Sequence, residues 1–426
     1  MTTLLFASLV FFFIMNVPIA IAIGASTLTA LLCASPFPPL VIFQKMFTAM
    51  DSFPLMAIPF FILAGALMET GGISRRLIHL ANTFVGHFAG GLAFVAIIAS
   101  MFFGAISGAA AACVAAIGSV LIPEMVTRGY GKPYTAAVQA TAGTLGVMIP
   151  PSIPMIIYGV MTGVSVGALF MGGVLPGVLV GLSLMFVAWL IARRRGYRGE
   201  RHYSWPERGA AFLDAFWALL MPAIILGGIY GGVFTPTEAA VVAVVYGLFV
   251  GLFIYRELRV SQLKSIFVNT AVGTAIILFI IGTSSAFSWV ITSRRVPQMV
   301  AEGMLTLSSS PVVILLLINL LLLFIGTFME TVASIIILVP VLMPVLQTIG
   351  VDPLHFGIVI VVNLAIGMVT PPLGVCLFVS CGIAKISLED ISRAALPFIL
   401  VMILDILLLS YLPFLSTALP RLMGLY

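Results

Sequence analysis

Charged residues are scarce in this sequence. Only 8% of its 426 residues are Asp, Glu, Lys or Arg, whereas 62% are hydrophobic. Soluble domains carry about 25% charged residues, so this composition excludes a soluble globular protein and predicts an all-α protein that crosses a membrane several times. No segment is long and polar enough to form an extramembrane domain, and we therefore expect any soluble partner to be a separate chain.

Residue patterns that support catalysis or metal binding are also missing. The four cysteines lie in apolar surroundings, and the four histidines are scattered without a pair at metal-ligand spacing. No nucleotide-binding motif occurs, so ATP is excluded as the direct energy source. These absences argue against an intramembrane enzyme, and we expect a protein that is not an enzyme and has no organic cofactor.

The positive charge is concentrated in two loops. Nine of the 19 basic residues lie within residues 193–208 and 256–264, and the formal net charge is +5. The positive-inside bias places both loops in the cytoplasm, and binding of anionic lipid is the less favoured alternative. This distribution is not that of a nucleic-acid-binding surface, so we expect the bilayer and not a nucleic acid as its surroundings.

A pair of adjacent prolines occurs twice, each time inside a long apolar segment. The pairs are Pro150-Pro151 and Pro371-Pro372. Adjacent prolines interrupt a helix because they lack the amide hydrogen and crowd the preceding turn. In lipid, such broken backbone is tolerated only where it is buried in protein or lines a cavity. Paired breaks in two halves of a membrane chain therefore indicate a transport site.

Several other residues recur at the same offset as the proline pairs, which is 221 (371 − 150). The recurring pairs are Pro123 with Pro344, Gly146 with Gly367, and Pro176 with Pro397. We predict two repeats, at 1–195 and 237–426, separated by a cytoplasmic basic loop and one connecting helix within 196–236. One odd helix between the repeats gives the second repeat an inverted topology.

Each repeat is predicted to contain one broken helix and one re-entrant helical hairpin. The broken helices lie at about 134–160 and 355–381, and the hairpins at about 91–125 and 311–348. Two ordinary spans remain the alternative for each hairpin. Further spans are predicted at 3–33, 46–69, 165–192, 211–235, 238–256, 265–291 and 394–420, and the first of these is a retained span, not a cleaved signal peptide.

Hairpin tips and helix breaks offer the chemistry that a transport site needs. Half-helix N-termini present N–H groups to anions, while unwound carbonyls and hydroxyls can bind a hard cation such as sodium. Close helix packing is the alternative explanation for the small residues found there. Glu330 follows the second tip, and a carboxylate at this depth indicates either function or a helix cap.

Four motifs that follow one another in order carry a resemblance to a known family. Residues 143–155, 231–240, 352–357 and 363–374 resemble motifs of the large membrane subunit of tripartite ATP-independent periplasmic (TRAP) transporters, and the similarity runs essentially end to end. It implies a sodium-driven elevator mechanism in a bacterial inner membrane, with a scaffold and a transport domain. It also implies two partners: a small four-helix membrane subunit and a periplasmic binding protein that delivers an organic acid.

The same resemblance assigns residues to the two ligands, with sodium as the coupling ion. The implied substrate-binding residues are Ser107, Gly108, Ser152, Thr327, Glu330 and Thr370. The implied sodium-binding residues are Ser107, Gly143, Thr144, Gly146, Gly326, Thr327, Thr331, Asn363, Gly367 and Thr370. The first tip departs from the family pattern because four alanines follow Gly108, and the second carries Glu330 where Asp is common.

The function expected from these observations is sodium-driven import of a small organic acid. An ion channel, or an ion-coupling membrane subunit without substrate transport of its own, is the alternative. Single-channel current would support that alternative, whereas stoichiometric, saturable uptake would oppose it.

Overall fold

The computed structural model consists of helices and loops, and it describes residues 1–34, 37–199, 201–308 and 310–426. The helices of the first half are α1 (Thr2–Ile14), α2 (Ile19–Ala34), α3 (Leu40–Met50), α4 (Ala57–Thr70), α5 (Ile73–Val85), α6 (Gly91–Ser107), α7 (Ala110–Thr127), α8 (Lys132–Gly143), α9 (Leu145–Met148), α10 (Ile153–Thr162) and α11 (Val166–Arg195). A short 3₁₀ turn, Phe53–Met56, precedes α4.

The second half is helical in the same way. Its helices are α12 (Trp205–Tyr230), α13 (Pro236–Phe249), α14 (Val260–Ser293), α15 (Val296–Leu307), α16 (Pro311–Gly326), α17 (Thr331–Thr348), α18 (Pro353–Gly367), α19 (Val375–Ala384), α20 (Leu388–Tyr411) and α21 (Phe414–Leu422). Among the described residues, nine helical segments are long and apolar enough to cross a bilayer. The prediction of an all-α, multi-pass membrane protein is confirmed.

Three predicted spans are interrupted, and a proline lies at each interruption. Span 3–33 is two helices, because the chain turns before Pro18 with Asn16 at φ 57°. Span 46–69 breaks at the 3₁₀ turn that contains Pro54, and span 394–420 ends at Tyr411, shortly before Pro413. Hydropathy alone joined these segments, whereas proline cannot continue the backbone hydrogen bonds of a helix interior.

The helices pack as two groups. We call α1–α5 and α12–α15 the peripheral group, in which α4 packs on α13 and both α2 and α3 pack on α14. We call α6–α11 and α16–α21 the central group, which contains both Pro-Pro segments. Several helix pairs join the groups, including α14 with α17 and α4 with α6, and the most extensive contacts are made by two helices, α5 on α6 and α15 on α17. Each of them lies directly before a hairpin in the chain.

The two hairpins differ in how their arms are held. In hairpin 1, α6 and α7 pack against each other and turn at Gly108, whose φ of +62° is a left-handed conformation that glycine adopts readily. In hairpin 2, α16 and α17 separate beyond their shared tip. The first arm, α16, lies on α18, while the second arm, α17, lies on α10, α14 and α15 and also touches α18.

An arginine joins the start of α5 to the rest of the peripheral group. The Arg76 guanidinium donates to Glu257 Oε1 at 2.7 Å and to Asp214 Oδ1 at 3.2 Å, and it lies 3.7 Å from the centre of the Tyr255 ring. Its side chain is 16% exposed, whereas that of neighbouring Arg75 is 77% exposed. Arg76 therefore fixes α5 to α12 and to the loop after α13.

Replacing Arg76 by Met tests this anchor. We expect Arg76→Met to lower the free energy of unfolding by about 1–2 kcal/mol, because two carboxylates lose a charged donor. The measurement is the thermal midpoint in detergent, and Arg75→Met is the matched control. Equal midpoints for the two variants would show that Arg76 does not fix α5.

Candidate functional site

The first helix break lies between α9 and α10. The regular helix stops at Met148, and Pro150 and Pro151 separate it from the first residue of α10, Ile153. The Ser152 hydroxyl donates to the Val147 carbonyl at 2.6 Å and accepts from the Met155 N–H at 3.5 Å. One side chain thus satisfies a carbonyl before the break and an amide after it, which reduces the cost of unpaired backbone at this depth.

The second break, between α18 and α19, is bridged in a similar way. The Thr370 hydroxyl donates to the Ile366 carbonyl at 2.8 Å, and the Cys376 N–H donates to the Met368 carbonyl at 3.0 Å. Helix α19 then begins at Val375 without a side-chain cap. The two breaks lie close together, because α9 packs against α18.

Each hairpin tip is hydrogen-bonded to the break in its own half of the chain. The Ile153 N–H donates to the Gly108 carbonyl at 3.4 Å, and the Gly374 N–H donates to the Thr327 carbonyl at 3.3 Å. The two donors are again 221 residues apart (374 − 153). Since each break divides a long apolar segment, both tips end at the depth of a break, as a re-entrant hairpin would.

Glycine pairs bring the tips into backbone contact with the broken helices. A Cβ atom at Gly104 would lie 2.8 Å from Gly146 Cα, and one at Gly326 would lie 3.0 Å from Gly367 Cα. No side chain fits at such separations. The backbone carbonyls of tip and break therefore come closer together than larger residues would allow.

Most predicted hydroxyl ligands donate to nearby backbone carbonyls. Thr144, Thr327 and Thr370 do so at 2.7, 2.7 and 2.8 Å. A hydroxyl that donates its proton keeps its lone pairs, so these oxygens can still accept a cation. The buried Ser107 Oγ, at the end of α6, has no hydrogen-bond partner among the described residues. The Thr331 hydroxyl lies 3.2 Å from Met368 Sδ, at the second break.

Glu330 caps α17. Its Oε2 accepts from the N–H groups of Val332 and Ala333 at 2.9 and 3.4 Å. The carboxylate therefore occupies the N-terminus of α17, where an anionic substrate would otherwise bind. The geometry favours the capping alternative over substrate binding. Helices α7 and α19 start at Ala109 and Gly374 without side-chain caps, and they pack against each other.

The structure collects most of the predicted residues around the two tips. Ser107, Gly108, Thr144, Gly146 and Ser152 belong to the first tip and break. Gly326, Thr327, Thr331, Gly367 and Thr370 belong to the second. Gly143, at the end of α8, faces the Val114 side chain of α7 and not the tip itself. Asn363 lies one helical turn before Gly367. Their roles as ligands stay predictions.

Sequence reasoning singled out Asn363 but not the buried amide and hydroxyl groups that hold it behind the second tip. The Asn363 Nδ2 donates to Asn319 Oδ1 at 2.9 Å, and Asn319 Nδ2 donates to Ser410 Oγ at 2.9 Å. The signal was present, since Asn319 is the one polar residue in the apolar run 311–326. A lone asparagine in such a run needs a buried partner.

The motifs match a family of known transporters. The family described as "Tripartite ATP-independent periplasmic transporter, DctM component" matches residues 6–415. The chain belongs to this family. It is the large permease subunit of a TRAP transporter and a multi-pass protein of the bacterial inner membrane.

Several TRAP permeases are similar along the chain. The C4-dicarboxylate permease DctM of Pseudomonas aeruginosa is 44% identical and covers 95% of both chains. The sialic acid permease SiaM of Vibrio cholerae is 39% identical, with 89% of each chain covered. The isethionate permease DctMQ of Oleidesulfovibrio alaskensis is 48% identical, and the match covers 96% of this chain but 65% of that longer protein.

A solved structure shares the fold of this TRAP permease. The Alcanivorax borkumensis YdaH transporter, described as having an unusual topology, superposes with a TM-score of 0.64 over 88% of both chains. Its sequence identity is 16%, so the likeness concerns the fold alone.

Adding one methyl group at a glycine contact tests the packing of the tips. In Gly367→Ala the new Cβ would lie 2.5 Å from Gly326 C and Cα, and we expect the free energy of unfolding to fall by about 1–3 kcal/mol from overpacking. Gly382→Ala on α19 is the matched control, because nothing lies within 4 Å of its added Cβ. Unchanged thermal midpoints for both variants would contradict the close contact.

Proposed function

We propose that this TRAP permease couples sodium entry to the import of a small organic acid. The observation that carries the proposal is the paired hydrogen bond between tip and break, Gly108 with Ile153 and Thr327 with Gly374. It holds two sets of backbone and hydroxyl oxygens together in the interior of the central group. Sodium prefers oxygen ligands of this kind.

Sodium would act by removing the repulsion between the oxygens of each tip and those of its break. Carbonyl and hydroxyl oxygens that converge on one point repel each other until a cation lies between them. The bound ion then favours the closed arrangement of each tip on its break, and it adds positive charge that attracts a carboxylate. The uncapped N-termini of α7 and α19 are further groups for that anion.

The substrate class and the partners follow from relatives. C4-dicarboxylate, sialic acid and isethionate are named for the similar permeases, and all three carry an acidic group, so we propose an organic anion. We also propose that a small membrane subunit and a periplasmic binding protein complete the transporter. The central group would move against the peripheral group as an elevator.

Thermal unfolding in different salts tests sodium coupling without knowledge of the substrate. The purified chain is heated in sodium, potassium or choline chloride at equal ionic strength. Binding to the folded state alone stabilises by RT ln(1 + [L]/Kd), about 2.7 kcal/mol at 100-fold saturation. We expect a saturable increase in the thermal midpoint with sodium only.

Two controls separate site formation from general salt effects. The same series is repeated after reconstitution with the small membrane subunit, because the site could require it. Gly108→Val carries a bulky residue at a tip whose added Cβ would lie 2.9 Å from the Pro151 carbonyl oxygen, and it should lose the sodium response. Equal midpoints in all three salts, with and without the subunit, would reject sodium coupling.

A further inference from the structure

Three buried side chains form a chain of hydrogen bonds behind the second tip. Asn363 on α18, Asn319 on α16 and Ser410 on α20 are 1%, 5% and 2% exposed. Asn363 Nδ2 lies 3.1 Å from the Asn319 carbonyl oxygen and 2.9 Å from Asn319 Oδ1, and Asn319 Nδ2 lies 2.9 Å from Ser410 Oγ. The chain joins a hairpin arm, a broken helix and a helix behind them.

The direction of every hydrogen bond in this chain is determined. The Ser410 hydroxyl donates to the Ile406 carbonyl at 2.7 Å, so its oxygen accepts and the amide group of Asn319 that faces it must be the NH₂. The Oδ1 of Asn319 therefore faces Asn363. A backbone carbonyl can only accept, so Asn363 must also turn its NH₂ toward Asn319.

This orientation leaves one oxygen without a partner. Asn363 Oδ1 is buried, and no donor of the described residues reaches it. Buried polar atoms normally have a partner, so this acceptor is available to a hydrogen-bond donor or to a cation. The Asn363 amide cannot rotate by 180° to give this oxygen a donor, because the rotation would place Oδ1 against the Asn319 carbonyl oxygen.

The free oxygen belongs to the interface that holds the second tip. Asn363 precedes Gly367 by one helical turn, so the two share one face of α18. That face contacts α16, since Gly367 meets Gly326 and Asn363 meets Asn319. The amide oxygen is therefore held one turn from the backbone contact between tip and break.

The first half of the chain has a similar pair. Gln139 on α8 donates from Nε2 to Ser100 Oγ on α6 at 3.4 Å, and its buried Oε1 has no partner among the described residues. In both halves, a broken helix thus carries an amide whose NH₂ binds the first arm of the hairpin and whose oxygen stays free.

We propose that Asn319 is a positioning residue, which turns the Asn363 side chain so that its Oδ1 is held ready to bind the coupling cation. Ser410 fixes the orientation of Asn319 in turn. The inference rests on the proposed function for the identity of the cation, and it adds Asn319 and Ser410 to a site in which Asn363 is already an expected ligand.

A sodium titration of the thermal midpoint, with chloride held constant by potassium chloride, tests the inference on the full-length chain. We expect Asn319→Leu and Asn363→Leu to raise the half-saturating sodium concentration about ten-fold or more, because the oxygen is misoriented or lost. Asn319→Asp keeps a side-chain oxygen that accepts from Asn363, so its half-saturating sodium concentration should lie within about three-fold of the wild-type value. A merely structural role would lower the midpoint in potassium without changing the half-saturating concentration.

Asn269→Leu is the matched control, since Asn269 is exposed on α14 and the same substitution there should leave the titration unchanged. Ser410→Ala is a milder variant that releases Asn319, and a higher half-saturating concentration is expected if Asn319→Leu does not fold. A sodium-responsive wild type with an unchanged titration in Asn319→Leu, or in Ser410→Ala in its place, overturns the inference alone. A wild type that does not respond to sodium, with or without the small membrane subunit, overturns the proposed function as well.

Discussion

The rest of this structure depends on the need to satisfy backbone hydrogen bonds inside a membrane. A Pro-Pro pair removes two amide donors and leaves neighbouring carbonyls unpaired, which lipid cannot tolerate. Here the carbonyls are bonded by Ser152 and Thr370, and an N–H after each break is bonded by a hairpin tip. Each hairpin tip therefore supplies a hydrogen bond that its broken helix lacks, and the two elements support each other.

The glycine contacts follow from the same need. A carbonyl in a hairpin tip reaches an amide in the break only if the two backbones approach closely, and a side chain at Gly104 or Gly326 would prevent this. Small residues at helix contacts serve packing in many membrane proteins. At these positions packing and hydrogen bonding need the same residue, so the packing alternative and the functional one are compatible.

The sequence predicted the class of fold and the position of both breaks, because proline has one strong effect and the 221-residue offset marks both copies. It joined helices at Pro18, Pro54 and Pro413, where a single proline was outweighed by hydropathy. It left Glu330 open between a functional role and a helix cap, since capping depends on the turn that precedes it. It also missed Asn319, whose meaning depends on a partner 44 residues away (363 − 319).

The divergence of the arms of hairpin 2 has a mechanical consequence. Both arms belong to the central group, but only the second arm also packs on the peripheral group: α16 rests on α18, whereas α17 rests on α10 and α18 on one side and on α14 and α15 on the other. A movement of the peripheral group along the central group would act on α17 but not directly on α16, so the short connection at 327–330 would take up the difference. In hairpin 1 the two arms pack on each other, so the same movement would shift both arms together and would not separate them at Gly108.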